Sequence, residues 1–237
     1  MIVGSGLLAK AFCASPRSWE GWIIFASGVS NSSGDDAEEF AREEALLRSW
    51  LARGERLVYF SSCGLVDEEA LDTPYMAHKR RMERLVLESS MHTRVLRLPQ
   101  VIGASGNRRT LANYLHDKLV AGEHFEVWEF AERNLVDVED VVAIAHRLLL
   151  SASIEARVIN IAAERSSAMV DIVQILERTL GLKGSYTLVP KGRPLHIDIS
   201  VAAVAASSLG IDMGETYLER IFAKYYSPRG QAGGVLK

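Results

Sequence analysis

The chain has 237 residues, 48% hydrophobic and 24% charged, the balance of a globular protein, which excludes disorder or low complexity as its main state. Its 27 lysines and arginines stand against 30 aspartates and glutamates, a net charge of −3, so it has no global basic field for a nucleic-acid partner. Cys13 and Cys63 are too few for a disulfide framework, no Cys-x-x-Cys or His-x-x-x-His points to a metal, no apolar run spans a bilayer, and no basic leader marks a signal peptide. The expectation is a reduced, cytoplasmic, soluble protein with neither nucleic acid nor membrane as partner.

Apolar runs alternate with helical-period stretches, the βαβ pattern of a parallel sheet. Met1 to Val3 is a very short strand that runs at once into glycines, and a helix follows over 7–14. Trp22 to Ala26 is a second strand, followed by a polar turn from Ser27 to Asp36. Residues 37–53 read as a helix with Phe40, Ala45, Leu46, Leu47, Trp50 and Leu51 on its buried side, stopped by Gly54. Leu57 to Phe60 is the third strand, 75–90 the next helix, and Arg94 to Leu98 a fourth strand ended by Pro99. Helices over 138–151, 168–181 and 214–226 and a strand over 158–161 complete the pattern, with a tail from Ser227 expected to fray. The reading is α/β with a Rossmann-like, doubly wound parallel sheet.

Two motifs carry chemistry. Gly4-Ser5-Gly6-Leu7-Leu8-Ala9 is a G-x-G-x-x-A between a strand and a helix, where glycines allow a tight turn and let backbone N–H groups approach a pyrophosphate. Tyr75 and Lys79 stand four apart on a helix and share one face, so the ammonium can stabilise the phenolate and tune the tyrosine as a general acid or base. Ser62, at the end of the preceding strand, is placed to hold a substrate oxygen.

With these residues the chain resembles the extended short-chain dehydrogenase/reductase superfamily, in its sugar-nucleotide epimerase/dehydratase group. The resemblance rests on segments in family order: Leu57 to Ser62, Thr73 to Glu83, Val95 to Gly103, Arg133 to Val141, Val158 to Ile161, Gly192-Arg193-Pro194 and Leu209-Gly210. It implies an NAD(P)-dependent ketoreductase or epimerase acting on a nucleotide-linked sugar in polysaccharide biosynthesis. It also implies a homodimer through helices 37–53 and 75–90, with Trp50 and Met82 as candidates for that face, the alternative for either being the chain's own core. Tyr75 would be the acid/base, Lys79 its partner and a ligand of the nicotinamide ribose, and Ser62 the holder of the reacting oxygen, with Ser61 and Cys63 as shifted alternatives. Gly4, Gly6, Leu7, Leu8, Ala26, Ser27, Lys79 and Pro99 would meet NAD or NADP, and Gln100, Arg133 and Arg193 the substrate. Arg133 and Arg193 suit a diphosphate, and the alternative for both is an ordinary surface charge. Cys63 resembles the cysteine of the GDP-fucose synthase branch, whose alternative is a small buried side chain. Residues 1–102 and 134–162 would form the Rossmann-like core, 103–133 and 163–226 a substrate lobe, and 227–237 a flexible tail.

The chain departs from the family early. Phe25 to Ser30 resembles the family's fourth strand, not its second, so one strand–helix–strand unit of roughly 30 residues is missing. That unit supplies the residue that reads the adenosine ribose, and Arg17 is the nearby cation left to meet a 2′-phosphate. An opposing expectation follows: a degenerate member that binds a nucleotide sugar or a protein partner without redox chemistry. Cys63-Gly64, where a dehydratase carries Asp-Glu, disfavours 4,6-dehydration, and the short loop between Ser62 and Tyr75 is expected to open the site.

Overall fold

The computed structural model describes residues 1–29, 36–66, 73–151 and 154–227. In chain order the elements are β1 (Ile2–Val3), α1 (Leu7–Ala14), β2 (Ile23–Phe25), α2 (Ala37–Leu51), β3 (Leu57–Ser62), a 3-10 turn (Cys63–Val66), α3 (Pro74–Ser89), β4 (Arg94–Leu98), β5 (Gln100–Ile102), α4 (Leu111–Ala121) and β6 (Phe125–Trp128). They continue with β7 (Glu132–Arg133), β8 (Leu135–Asp137), α5 (Val138–Leu150), β9 (Val158–Asn160), β10 (Ser167–Ala168), α6 (Met169–Leu180), β11 (Tyr186–Val189), α7 (Ser200–Ser208) and α8 (Tyr217–Tyr226).

Five of the strands form one parallel sheet in the order β1-β2-β3-β4-β9, a Rossmann-like α/β core. Side chains alternate across it, as the pleat requires. Ile24, Val58, Phe60, Leu96 and Leu98 face a cluster shared with Phe12 of α1 and with Val141, Ile144 and Leu148 of α5. Ile23, Phe25, Leu57, Tyr59 and Val95 face the opposite layer, with Leu47 of α2 and with Met82 and Val86 of α3. Helices therefore cover both faces.

The strand order nevertheless runs in one direction, with β1 at the edge. The β1–α1–β2 crossover steps across the sheet the same way as β2–α2–β3, but its helix lies on the opposite face, so the two crossovers have opposite hands. Such crossovers are right-handed in about 98% of proteins. The β4–β9 connection, whose α5 lies on the face of α1, has the same hand as β1–α1–β2; at β1–β2 that hand is what remains when a unit between α1 and β2 is taken out of a doubly wound frame without moving α1.

Local sequence explains the helix ends. Asp36 accepts hydrogen bonds from Glu38 N and Glu39 N at the start of α2. Thr73 Oγ1 accepts from Met76 N ahead of Pro74, which is preset for a first turn. Gly54, at φ +69°, turns the chain out of α2. The elements expected from periodicity are found within a few residues; β5 to β8, α4, β10, β11 and α7 were not anticipated. The strands among them have two to four residues, too few for a period, and α7, Ser-Val-Ala-Ala-Val-Ala-Ala-Ser-Ser, has no polar stripe.

Three two-stranded pairs, β5 with β8, β6 with β11 and β7 with β10, flank the sheet. Asp137 caps α5 and binds α8 to it: Tyr225 Oη donates to Oδ1 at 2.8 Å and Lys224 Nζ to Oδ2 at 2.7 Å. The cluster that fills the first face runs on without a break into α6 and α8. No described helix is long and apolar enough to cross a membrane. Most of the expected polar turn (30–35), part of the short loop ahead of Tyr75 (67–72) and the tail beyond Ser227 lie outside the described residues.

Candidate functional site

In a parallel sheet, groups at the carboxyl ends of neighbouring strands come together. Here four strands deliver the candidates to one rim: Gly4 after β1, Ala26 and Ser27 after β2, Ser62 ending β3, and Pro99 after β4. The registers set Val3 level with Phe25 and Ser62 level with Leu98, and because Phe25 pairs with Tyr59 the ends of β3 and β4 reach three residues further than those of β1 and β2.

Gly4 has φ +128°, and a Cβ there would lie 2.3 Å from the carbonyl oxygen of Ala26, so only glycine lets β1 turn so close to the end of β2. Above Gly6, which has open space where a side chain would be, α1 begins with no side-chain cap and no acidic residue in its first turn. Leu7 and Leu8 carry unsatisfied N–H groups there, a fit for an anionic pyrophosphate.

Because α3 runs back against the strands, its first turns lie at the same rim. Tyr75 is 7% exposed, and Ser62 stands beside its hydroxyl. Burial pushes the phenol up to about 12, the Glu43 charge adds to the rise, and the neighbouring Ser62 opposes both. Ser62 Oγ accepts from Gly64 N at 3.1 Å. Lys79 Nζ lies 5.8 Å from the centre of the Tyr75 ring. Ser62, Tyr75 and Lys79 thus form one constellation.

One member of this cluster escaped sequence reading. Glu43 lies in the middle of α2 with no exposed surface. Its Oε1 accepts from Tyr59 Oη at 2.6 Å and from Lys79 Nζ at 3.1 Å; its Oε2 accepts from Val29 N at 2.6 Å and lies 3.0 Å from His78 Nε2. Lys79 Nζ also donates to Tyr59 Oη at 2.9 Å. Burial alone would raise the Glu43 carboxyl, but the His78 contact, the Lys79 charge and the Tyr59 and Val29 hydrogen bonds outweigh it and hold it at about 2. Burial draws Lys79 down, and the Glu43 charge resists. The available signal was position: Glu43 is four residues before Leu47, on the stripe of α2 that faces the sheet. That stripe was expected to include Ala45, which is instead exposed.

Other expected residues divide into three groups. Arg133 and Arg193 come side by side, since Glu132 N donates to the Arg193 carbonyl and Leu195 N to Glu132 Oε2. Leu195 packs against the cluster of Cys63, Ala162 and Ile197, which brings both arginines toward the Ser62 end of β3. Gln100 begins β5, where its N–H donates to the Asn134 carbonyl, and Pro99 is half-buried between β4 and β5.

Burial bears on the open alternatives at Cys63 and Met82. Cys63 is 1% exposed in an apolar cluster, and burial pushes its thiol up to about 12, which fits the reading of a small buried side chain. Met82 is fully buried between α3 and the sheet, so it belongs to the core and not to a partner-facing surface, whereas Trp50 is half-buried under Arg53. Arg17 follows the carboxyl end of α1, whose eight residues carry the chain about 12 Å back along the sheet, away from the glycine turn.

The comparisons agree with this fold. RMD from Pseudomonas aeruginosa, complexed with NADPH, superimposes with a TM-score of 0.68 at 19% identity over 94% of each chain. UDP-glucuronic acid 4-epimerase from Bacillus cereus, complexed with UDP-glucuronic acid and NAD, gives 0.68 at 15% identity, over 86% of this chain and 74% of its own. dTDP-glucose 4,6-dehydratase from Bacillus anthracis, in complex with NAD, gives 0.65 at 14% identity, over 91% and 73%. No curated protein matches. The family model described as "NAD dependent epimerase/dehydratase family" matches residues 23–162, from β2 to the turn after β9, and the chain belongs to that family.

Proposed function

We propose that the chain is an NAD(P)-dependent oxidoreductase, a ketoreductase or epimerase, acting on a nucleotide-linked sugar through Ser62, Tyr75 and Lys79. The observation that carries the reading is the convergence at the carboxyl rim of the sheet of Ser62, ending β3, and the buried Tyr75, with Lys79 Nζ 5.8 Å from the centre of the Tyr75 ring. The solved structures with NADPH, NAD and UDP-glucuronic acid support the cofactor and substrate class.

The bare turn from Gly4 to Leu8 fits the pyrophosphate, and Ala26, Ser27 and Pro99 line the rim on the nicotinamide side; when bound, the nicotinamide gives or takes a hydride. The chain's own residues do the rest. Ser62 orients the substrate oxygen. Tyr75, protonated at neutral pH because burial holds it near 12, gives that oxygen its proton as the carbonyl is reduced. Lys79 supplies positive charge to steady the phenolate left behind. Arg133 and Arg193 take the diphosphate, and Gln100 contacts the sugar. The core and lobe divide the chain at residues 102, 133 and 162, and two copies pair through the outer faces of α2 and α3.

A second reading is a binding protein without redox chemistry, and the observation that favours it is β1 as the outermost strand of the sheet. Titration with NADH and NADPH, followed by nicotinamide fluorescence, separates the two. Micromolar binding, with turnover of a nucleoside-diphosphate 4-keto-6-deoxyhexose that falls about 100-fold or more in Tyr75→Phe, supports the oxidoreductase. No binding at millimolar cofactor by folded protein supports the alternative.

A further inference from the structure

We infer that Glu43 is a positioning residue for Lys79: its buried carboxylate fixes the ammonium between Tyr59 and the turn at Gly28 and keeps it charged beside Tyr75. The inference rests on the functional reading above and goes beyond it, because the Ser–Tyr–Lys set contains no carboxylate.

The geometry is that of a cradle with four walls. From α2 comes Glu43 itself; from β3, Tyr59; from α3, His78 and Lys79; and from the segment after β2, the N–H of Val29. Gly28 closes it: a Cβ there would stand 2.9 Å from Lys79 Nζ and 3.1 Å from Glu43 Oε1. The other charged and titratable groups facing the pair are Tyr75 and Glu83 of α3. Glu83 is already neutralised by Arg97 of β4 through hydrogen bonds of 2.8 and 2.7 Å. Glu43 is therefore the anion that answers Lys79. His78, stacked on Phe40 with ring centres 4.4 Å apart, fixes the other carboxylate oxygen from the outside.

An ammonium buried without this anion gives up its proton readily. Its loss removes the charge that steadies the Tyr75 phenolate but leaves the substrate contacts in place. As pH rises, the Glu43→Gln enzyme therefore loses kcat earlier than the wild type, with KM for the sugar within threefold. Glu43→Asp, which keeps the charge, restores most of the range. A residue that only supported the fold would lower activity evenly across pH.

The test has two arms on the full-length chain. The first follows the Lys79 ammonium by NMR as pH is raised, with its resonance assigned through Lys79→Met; it needs no turnover. The expected result is a proton dissociation constant at least tenfold larger in Glu43→Gln, and within threefold of wild type in Glu43→Asp. A constant within twofold of wild type in Glu43→Gln overturns the inference. If Glu43→Gln does not fold, Tyr59→Phe, which removes a hydroxyl bonded to both partners, takes its place, with a rise of about threefold expected and none overturning. The second arm measures kcat and KM against pH with NADPH and a nucleoside-diphosphate 4-keto-6-deoxyhexose. Parallel profiles for wild type and Glu43→Gln overturn the inference. A wild type with no turnover on such sugars overturns the functional reading instead, and leaves the first arm to decide on Glu43.

Discussion

Substituting Glu43 by glutamine keeps the shape of the side chain and removes its charge, so it isolates what that charge does for stability. The native carboxyl is held at about 2 against an ordinary 4.5, which corresponds to about 3 kcal/mol in favour of the ionised form. A carboxyl lowered on folding contributes stability that is present above 4.5 and is lost as pH falls from 4.5 toward 2. Urea unfolding of the wild type should therefore show a free energy that drops by about 3 kcal/mol across that window from this group. Glu43→Gln should start lower at pH 7, by roughly 3 to 5 kcal/mol, because Lys79 is left buried without its anion. It should then lack the part of the acid drop that belongs to residue 43. Adding Lys79→Met should recover most of the loss at pH 7, since a buried pair replaced by apolar groups is often neutral. If wild type and Glu43→Gln lose free energy in parallel between pH 4.5 and 2, Glu43 is not ionised in the folded protein and the charge cradle is wrong.

Other outcomes follow from the same structure. Gly4→Ala places a methyl against the Ala26 carbonyl in a backbone region that favours glycine, and should lower stability by at least about 1 to 3 kcal/mol; an unchanged Tm would refute that close approach. Asn134, 2% exposed, joins β8 to the turn after β9 through Ala163 N at 2.9 Å and Ala163 O at 3.0 Å, so Asn134→Ala should cost about 2 kcal/mol in denaturant unfolding, and a loss below about 0.5 kcal/mol would show that the two amide bonds are not made. An aromatic disulfide reagent should label Cys13 rapidly in the native protein and Cys63 only after unfolding; rapid labelling of both would contradict the packing of Cys63.

The rim of the proposed site is legible in the chain alone. A glycine pair after a two-residue strand, a serine at the end of a strand, and a tyrosine and lysine four apart on a helix behind a proline are local patterns. The carboxyl ends of a parallel sheet bring such patterns together whatever the details of packing. The family was legible for the same reason, in the order of its segments.

Tertiary structure decided what depends on which face of an element meets which neighbour. Glu43 and Ala45 lie two residues apart on one helix, yet the charged side chain is buried and the apolar one exposed, because Tyr59, His78, Lys79 and the Val29 amide converge on position 43. Cys63 could be read as an acid/base or as packing until Ala162 and Ile197, about 100 residues further on, closed around it. Arg17 is close to the glycines along the chain, yet α1 carries the backbone away from their turn. The lone direction of the strand order, with β1 left at the edge and α1 on the face opposite α2, follows from long-range pairing that no local residue pattern encodes.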